Sequence, residues 1–252
     1  MKFPFPSMRT RAIALFSGAL LLTMTACNKN NDDSNNPDVP VAGLMAFNLA
    51  PDVASAGIAL GGNNAVNNLP YGNFTGGYLP VYTGERSVES YNAASGARLS
   101  SGTFSFADSA YYTVFVVGTN NNYSNVFVND DITNLTADGS AYVRYINAIP
   151  DSSQPTVTVG TAVNEPAAYK TVSAFRSVPA GALALAVNNG GTISATRSIT
   201  VEANKIYTVL LSGQPGNTSG SAPVEIKFIT NGTIDANAAK TPATGNSART
   251  AN

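Results

Sequence analysis

An internal repeat constrains the fold of this chain more than any other feature of its sequence. Residues 47–52 (FNLAPD) recur as residues 146–151 (INAIPD). Further along each copy, residues 112–114 (YTV) recur as residues 207–209 (YTV). Because the paired segments occur in the same order, they are predicted to be equivalent parts of two related units rather than parts of one continuous core.

The two copies are predicted to be separate small domains at residues 42–136 and 139–232, each long enough to bury one core. Charged residues make up only 12% of the chain, and the sequence contains 22 Gly and 14 Pro residues. This composition favours many short strands joined by turns over long helices.

Seven segments in each repeat have the length and the β-branched or aromatic content of strands. Seven short strands per repeat predict an all-β protein with two tandem antiparallel β-sandwich domains. The strands predicted in the first repeat are residues 43–49, 57–60, 78–82, 87–93, 102–106, 111–118 and 125–129. Those predicted in the second are residues 141–148, 156–160, 173–178, 182–188, 194–201, 206–212 and 224–230.

Residues 108–114 (DSAYYTV) resemble the immunoglobulin corner, in which a tyrosine hydroxyl bonds to the backbone upstream of its own strand. The resemblance implies immunoglobulin-like domains in which Tyr112 is a buried structural pin, and the repeat makes Tyr207 its equivalent. Val114 stands where the immunoglobulin cysteine would be, and the chain has no Trp. The resemblance therefore extends to the architecture and not to the disulfide core.

In each repeat the first predicted strand leads into an Asn-x-x-Pro-Asp element, at residues 48–52 and 147–151. With its tandem arrangement, the chain is similar to a bacterial family known only as a domain of unknown function. Many members of that family are envelope lipoproteins of Bacteroidota. The resemblance covers about residues 42–232 and implies an envelope location, but it brings no catalytic residues with it.

The N-terminal segment predicts where the protein is sent. Three cations precede an apolar run, residues 12–25, which is too short to span a bilayer and ends in Ala26 and Cys27. This pattern resembles the lipobox of bacterial lipoproteins. The resemblance implies that residues 1–26 are a signal peptide and that Cys27, the only cysteine, is acylated and attaches the protein to a membrane.

Residues 27–41 have almost no apolar side chains before Val39, so they are predicted to be a flexible tether, and residues 233–252 are predicted to be a disordered tail. Asp32 and Asp33 follow the cysteine. They are similar to the acidic export signal of Bacteroidota surface lipoproteins, and they equally fit an ordinary acidic linker. We therefore expect a lipid-anchored protein of the cell envelope, at the outer membrane, on either its inner or its surface-exposed face.

Charge and residue types exclude several functions. Residues 1–26 carry three cations and no carboxylate, so their removal leaves 11 cations against 15 carboxylates and takes the formal charge from −1 to −4. Without a basic cluster, nucleic-acid binding is disfavoured. The chain has no His, and lipidation would leave no free Cys, which excludes Ser-His-Asp and Cys-His catalysis and common zinc sites. We expect no cofactor, no metal and no enzymatic activity.

The carboxylates are weaker candidates for a functional site. Asp52 and Asp151 are the only carboxylates that repeat, and they either contact a ligand or close the turn after a strand. Residues 129–131 (NDD) could offer oxygens to calcium, but they lack the spacing of an EF-hand. Acid–base catalysis by carboxylates alone stays open in principle. The sequence nominates no pair for it.

Tyrosines are the other candidates. The first repeat holds most of them, and Tyr71, Tyr78 and Tyr82 follow the Gly- and Asn-rich residues 61–64. Tyrosine beside Gly, Asn and Ser is typical of adaptable binding loops. The alternative is that these are ordinary strand tyrosines next to turn asparagines.

These observations predict a non-enzymatic module that binds a glycan or a protein. A structural spacer or assembly subunit is the first alternative. A carboxylate-dependent enzyme acting on glycans is the second.

Overall fold

The computed structural model of the protein describes residues 39–217 and 222–234. Cys27, the predicted signal peptide and nearly all of the predicted tether and tail lie outside these residues. Among the described residues, no helix has the length and apolar character needed to cross a membrane.

The first repeat is a sandwich of two four-stranded sheets, with strand orders β4-β1-β7-β8 and β3-β2-β5-β6. Its eight strands are β1 (Val41–Asn48), β2 (Ser55–Leu60), β3 (Asn63–Pro70), β4 (Leu79–Tyr82), β5 (Gly84–Asn92), β6 (Arg98–Phe106), β7 (Tyr111–Thr119) and β8 (Asn122–Asn129).

The second repeat has the same architecture, with strand orders β12-β9-β15-β16 and β11-β10-β13-β14. Its strands are β9 (Ala141–Asn147), β10 (Thr156–Val159), β11 (Val163–Pro166), β12 (Arg176–Val178), β13 (Gly181–Asn188), β14 (Ser194–Val201), β15 (Lys205–Ser212) and β16 (Glu225–Thr233). The fold is therefore all-β, in two tandem domains.

Pairing between these strands is antiparallel in both sandwiches, with one exception in each. The first strand of each repeat pairs in parallel with the seventh: β1 with β7 and β9 with β15. The predicted antiparallel sandwiches are confirmed, and each of them contains this one parallel pair. Parallel strands need a long crossover between them, and the five intervening strands of each repeat supply it.

The same tyrosine hydrogen bond closes the corner in both repeats. The backbone N–H of Ala107 donates to the Tyr112 hydroxyl at 3.1 Å, and that of Glu202 donates to the Tyr207 hydroxyl at 3.0 Å. Both rings are buried. In each case the donor lies five residues upstream in sequence, so the hydroxyl ties the end of one strand to the start of the next.

Two strands were missed in the sequence, and one loop was wrongly placed. β3 includes Asn63 and Asn64, which were predicted to lie in a loop. The second missed strand, β11, is only four residues long. At the C-terminal end, β16 includes Thr233, and the N–H of Ile234 donates to the Asn204 carbonyl at 2.7 Å. The ordered fold thus extends into the predicted tail.

Each repeat buries its own core, and a third apolar cluster lies between the repeats. It joins the sheet β4-β1-β7-β8 to the sheet β12-β9-β15-β16, which we call the two contact sheets. Its buried members are Met45, Phe47, Leu49, Phe115, Val117, Ile146, Ala148 and Leu210. Because residues of both repeats contribute, the described part of the two domains packs as one unit.

Candidate functional site

The first contact sheet extends beyond the second repeat, and its uncovered end forms the candidate site. Side chains alternate along a strand, so Val41 and Gly43 share the face of β1 that carries the interface residue Met45. Gly43 pairs with Pro80 on one side and with Tyr111 on the other. The apolar face that packs between the repeats therefore continues into an open groove.

This feature, which we call the tyrosine groove, has a volume of about 340 Å³. No charged side chain is among the residues that line it. They are Val41, Ala42, Gly43, Tyr78, Pro80, Ser109, Ala110 and Tyr111. The groove therefore offers aromatic and apolar surface, with hydroxyl groups as its only polar side-chain atoms.

Gly43 keeps the groove open. A Cβ at this position would lie 2.7 Å from Cδ1 of Tyr111 and 3.1 Å from Cβ of Tyr78. The Tyr78 and Tyr111 rings meet edge to face, with centroids 4.9 Å apart and planes at 67°. This is a preferred arrangement for aromatic pairs, so the two rings form a fixed wall above the glycine.

A buried polar network fixes Tyr78 from behind. Its hydroxyl donates to Oδ2 of Asp130 at 2.6 Å, and Asp130 forms a buried ion pair with Arg144 of the second repeat. The Arg144 guanidinium also donates to the hydroxyl oxygens of Thr113 and Thr208, both at 3.0 Å. Burial, and then the Asp130 carboxylate, raise the pKa of Tyr78, so its phenol remains a donor.

The second repeat has a tyrosine at the position equivalent to Gly43. Tyr142 pairs with Ile206 in β15 as Gly43 pairs with Tyr111 in β7. The Tyr142 side chain is only 8% exposed, and its hydroxyl donates to the carbonyl of Thr136 at 3.0 Å. A buried side chain thus stands where the first repeat has an open floor.

Of the three candidate tyrosines, Tyr78 lines the groove, Tyr82 lies next to it and Tyr71 lies elsewhere. Tyr82 pairs with Val41 at the rim and is 61% exposed. Tyr71 lies in the turn after β3, half-buried, with Nζ of Lys227 5.5 Å from its ring centroid. Burial raises the pKa of Tyr71. Tyr71 therefore belongs to the contact between the repeats.

Asp52 and Asp151 make different contacts, and neither lines the groove. Oδ2 of Asp52 accepts from the Thr119 hydroxyl (3.0 Å), the Asn120 N–H (2.7 Å) and the Tyr123 hydroxyl (3.0 Å). It therefore joins the loop after β1 to the β7–β8 hairpin.

Oδ1 of Asp151 accepts only a local bond, from the N–H of Ser153 at 2.7 Å, which is turn chemistry. Asp130 was a possible calcium ligand in the sequence analysis, but in the structure its carboxylate pairs with Arg144. The described residues contain no group of three or more His, Cys, Asp or Glu side chains placed to hold a metal ion.

Sequence reasoning missed Gly43, Tyr111 and Arg144. Arg144 carried a signal, because it is the single charged residue in the mostly apolar strand AYVRYIN and so required a buried partner. Gly43 and Tyr111 could have been found by extending the alignment of the two repeats beyond the matched segments. In that alignment Gly43 occupies the same position as Tyr142.

Comparisons with known proteins show the family and little else. No curated protein matches the chain. One solved chain comes from work on alpha-glucan recognition by family 41 carbohydrate-binding modules of streptococcal virulence factors. It is 11% identical, the match covers 73% of this chain and 96% of that one, and the TM-score is 0.22. A TM-score this low supports no argument about fold or ligand.

The family model named "Domain of unknown function (DUF4397)" matches residues 42–141 and again residues 141–242. These two matches coincide with the two sandwiches, and together they cover most of the sequence. The chain therefore belongs to the DUF4397 family and contains two tandem copies of its domain.

Proposed function

We propose that this protein is a non-enzymatic binding module of the cell envelope, anchored by a lipid on Cys27, and that its first repeat binds an uncharged ligand in the tyrosine groove. The observation that carries the proposal is the groove itself. It is open in one repeat, and a buried tyrosine stands at its floor position in the other.

The chemistry of the groove favours a neutral sugar residue. The Tyr78 and Tyr111 rings offer flat apolar surface, which the C–H face of a sugar ring can cover. The hydroxyls of Ser109 and Tyr111 offer hydrogen bonds at the edge, since that of Tyr78 is already bonded to Asp130. A charged ligand would find no countercharge among the lining residues.

A structural spacer remains the second candidate, because one observation supports it. The repeats share a buried apolar cluster and a buried ion pair. Together these hold the two described domains as one stiff unit, which suits a protein that sets a distance. On this alternative the groove would have no ligand.

The groove can be tested by copying the second repeat into the first. The double variant Gly43→Tyr with Tyr111→Ile introduces the residues found at Tyr142 and Ile206. We expect it to reduce binding of the mature protein to an array of neutral glycans by about tenfold or more, because the new ring would fill the floor of the groove and the Tyr111 wall would be lost.

Gly102→Tyr is the matched control. Gly102 lies exposed in β6, and a Cβ there would meet nothing within 4 Å. The control should keep full binding, and both variants should be checked for an unchanged melting temperature. If the wild type binds glycans and the double variant binds them equally well, the groove is not the site. If the wild type binds no glycan, the result favours the structural spacer as the function.

The anchor has its own test. The signal-like segment motivates it, and Cys27→Ala should release the protein from the membrane fraction. Mass spectrometry of the wild-type N-terminus should find acyl chains on Cys27. A mature N-terminus without acyl chains would contradict the anchor and leave the groove untouched.

A further inference from the structure

Only three large hydrophobic side chains are prominently exposed among the described residues, and they lie together. Val39 is 55% exposed, Val41 41% and Tyr82 61%. Val41 and Tyr82 are directly paired between β1 and β4, and Val39 precedes Val41 by two residues. We call these three side chains the apolar rim, because they border the open end of the tyrosine groove.

The apolar rim is also where the chain enters the described fold. Val39 lies twelve residues after Cys27 in the sequence. A chain of that length spans at most about 40 Å when fully extended. Among the described residues, Val39 and Val41 are thus the exposed large hydrophobic groups closest in sequence to the predicted lipid, and Tyr82 lies beside them because it pairs with Val41. The chain length keeps all three near any membrane that holds the lipid.

The chemistry of the apolar rim suits the boundary between lipid and water. Valine side chains favour the apolar side, while tyrosine has an apolar ring and a polar tip that can stay wet. Arg86 adds a cation beside them: its guanidinium carbon is 5.6 Å from the Tyr82 ring centroid, and Nε donates to the Tyr82 carbonyl at 2.9 Å. A fixed cation next to apolar groups matches a phosphate layer above acyl chains.

We propose that Val39, Val41 and Tyr82 contact the lipid surface and that this contact orients the anchored protein, so that the tyrosine groove opens beside the membrane. This proposal rests on the lipid anchor of the proposed function. The acyl chains supply the attachment, because three side chains alone are too few to hold a protein on a bilayer. The apolar rim sets which end of the molecule faces the membrane.

The absence of Trp from the chain allows a direct measurement. Tyr82→Trp places a single fluorophore in the apolar rim, which we call the rim probe. Tyr123→Trp places one at the other end of the same sheet, the distal probe. Tyr111 and Thr119 mark the two ends of β7, so the probes are separated by about 25 Å. Each acylated variant is reconstituted into phosphatidylcholine vesicles whose acyl chains carry bromine, which quenches tryptophan fluorescence at close range.

We expect brominated lipid to quench the rim probe by about twofold, because the apolar rim would lie at the headgroup and acyl boundary. The distal probe should show almost no quenching. Adding Val39→Asp to the Tyr82→Trp variant should abolish the quenching, whereas Ala94→Asp, which adds the same charge in the exposed β5–β6 turn, should leave it unchanged.

Several outcomes would overturn the proposal, and they differ in what else they affect. Equal quenching of the rim and distal probes on acylated protein refutes the orientation and leaves the anchor intact. Quenching of the rim probe that survives Val39→Asp refutes the role of the apolar rim. An unacylated Cys27 in the same sample removes the anchor and the orientation together. A blue shift of the rim-probe fluorescence that appears without vesicles, and only at high protein concentration, would mean that the apolar rim instead pairs two copies of the chain.

Discussion

The two repeats share one fold but use equivalent positions differently. At the floor of the contact sheet the first repeat has Gly43 and the second has Tyr142, so an open groove in one corresponds to a buried ring in the other. Deeper between the repeats, Met45 corresponds to Arg144. The contact sheet of the second repeat therefore carries a buried ring and a buried cation, whereas that of the first repeat ends in an open groove.

This difference shows where the duplicated domain is constrained. The tyrosine corner is the same in both copies, because it holds each sandwich together on its own. The contact face differs, because each copy supplies one half of an interface and the halves need not match. A ligand groove can arise at the edge of such an interface without disturbing either core.

The largest expected effect tests the shared part of the comparison. Tyr112→Ala and Tyr207→Ala should each cost about 5 kcal/mol of unfolding free energy. Each change removes a buried aromatic ring and leaves a backbone N–H without its acceptor. Chemical denaturation measures both losses. Tyr71→Ala, which removes a half-buried ring, should cost clearly less, and equal losses for all three would contradict the assignment of Tyr112 and Tyr207 as pins.

The next effect tests the unshared part. Arg144→Met copies the first repeat into the second and leaves Asp130 buried without its cation, which should destabilise the protein by about 3–5 kcal/mol. Combining it with Asp130→Asn removes the orphaned charge and should recover much of the loss. If the double variant is no more stable than Arg144→Met alone, the cost does not come from an unpaired charge.

Asp52 and Asp151 should differ when each is changed to Asn. Asp52→Asn weakens three hydrogen bonds to the β7–β8 hairpin and should cost about 1 kcal/mol, because the site is exposed. Asp151→Asn keeps a side-chain oxygen for its single turn bond and should be nearly neutral. Thermal unfolding compares the two, and equal shifts would mean that the repeated carboxylates do the same job after all.

The smallest effect concerns Tyr169, whose hydroxyl is buried without a hydrogen-bond partner among the described residues. Burial raises the pKa of Tyr169 to about 12. The fold therefore favours the neutral phenol, and this contribution is complete below about pH 10 and is lost as the pH rises towards 12. Tyr169→Phe should be nearly neutral at about pH 7 and should make the loss of stability above about pH 10 shallower. An unchanged alkaline profile would show that Tyr169 titrates normally.

Strong local patterns made most of the fold predictable. The repeat, the tyrosine corner and the apolar strands could be identified because each depends on residues close together in sequence. β3 could not, because NNAVNNLP has the composition of a loop. It is an edge strand, so its mostly exposed side chains carry little apolar pattern, and its structure comes from backbone pairing with β2.

The candidate site was predicted only in part. Tyr78 and Tyr82 were singled out by composition, but composition cannot show which tyrosines share a surface. The groove depends on Gly43 meeting Tyr111 through a parallel pairing between strands far apart in the chain. The pairing of Asp130 with Arg144 depends in turn on how the repeats dock, which no local pattern encodes.

The central position of β1 affects how the protein would carry mechanical load. β1 lies between β4 and β7: it pairs with β4 from Val41 to Leu44 and with β7 from Gly43 to Asn48. Tension applied at its N-terminal end and directed along the strand would strain the bonds of both ladders at once, whereas an edge strand peels away bond by bond. A protein held at that end would therefore bear drag through a strand that is hydrogen-bonded to a neighbour on each side.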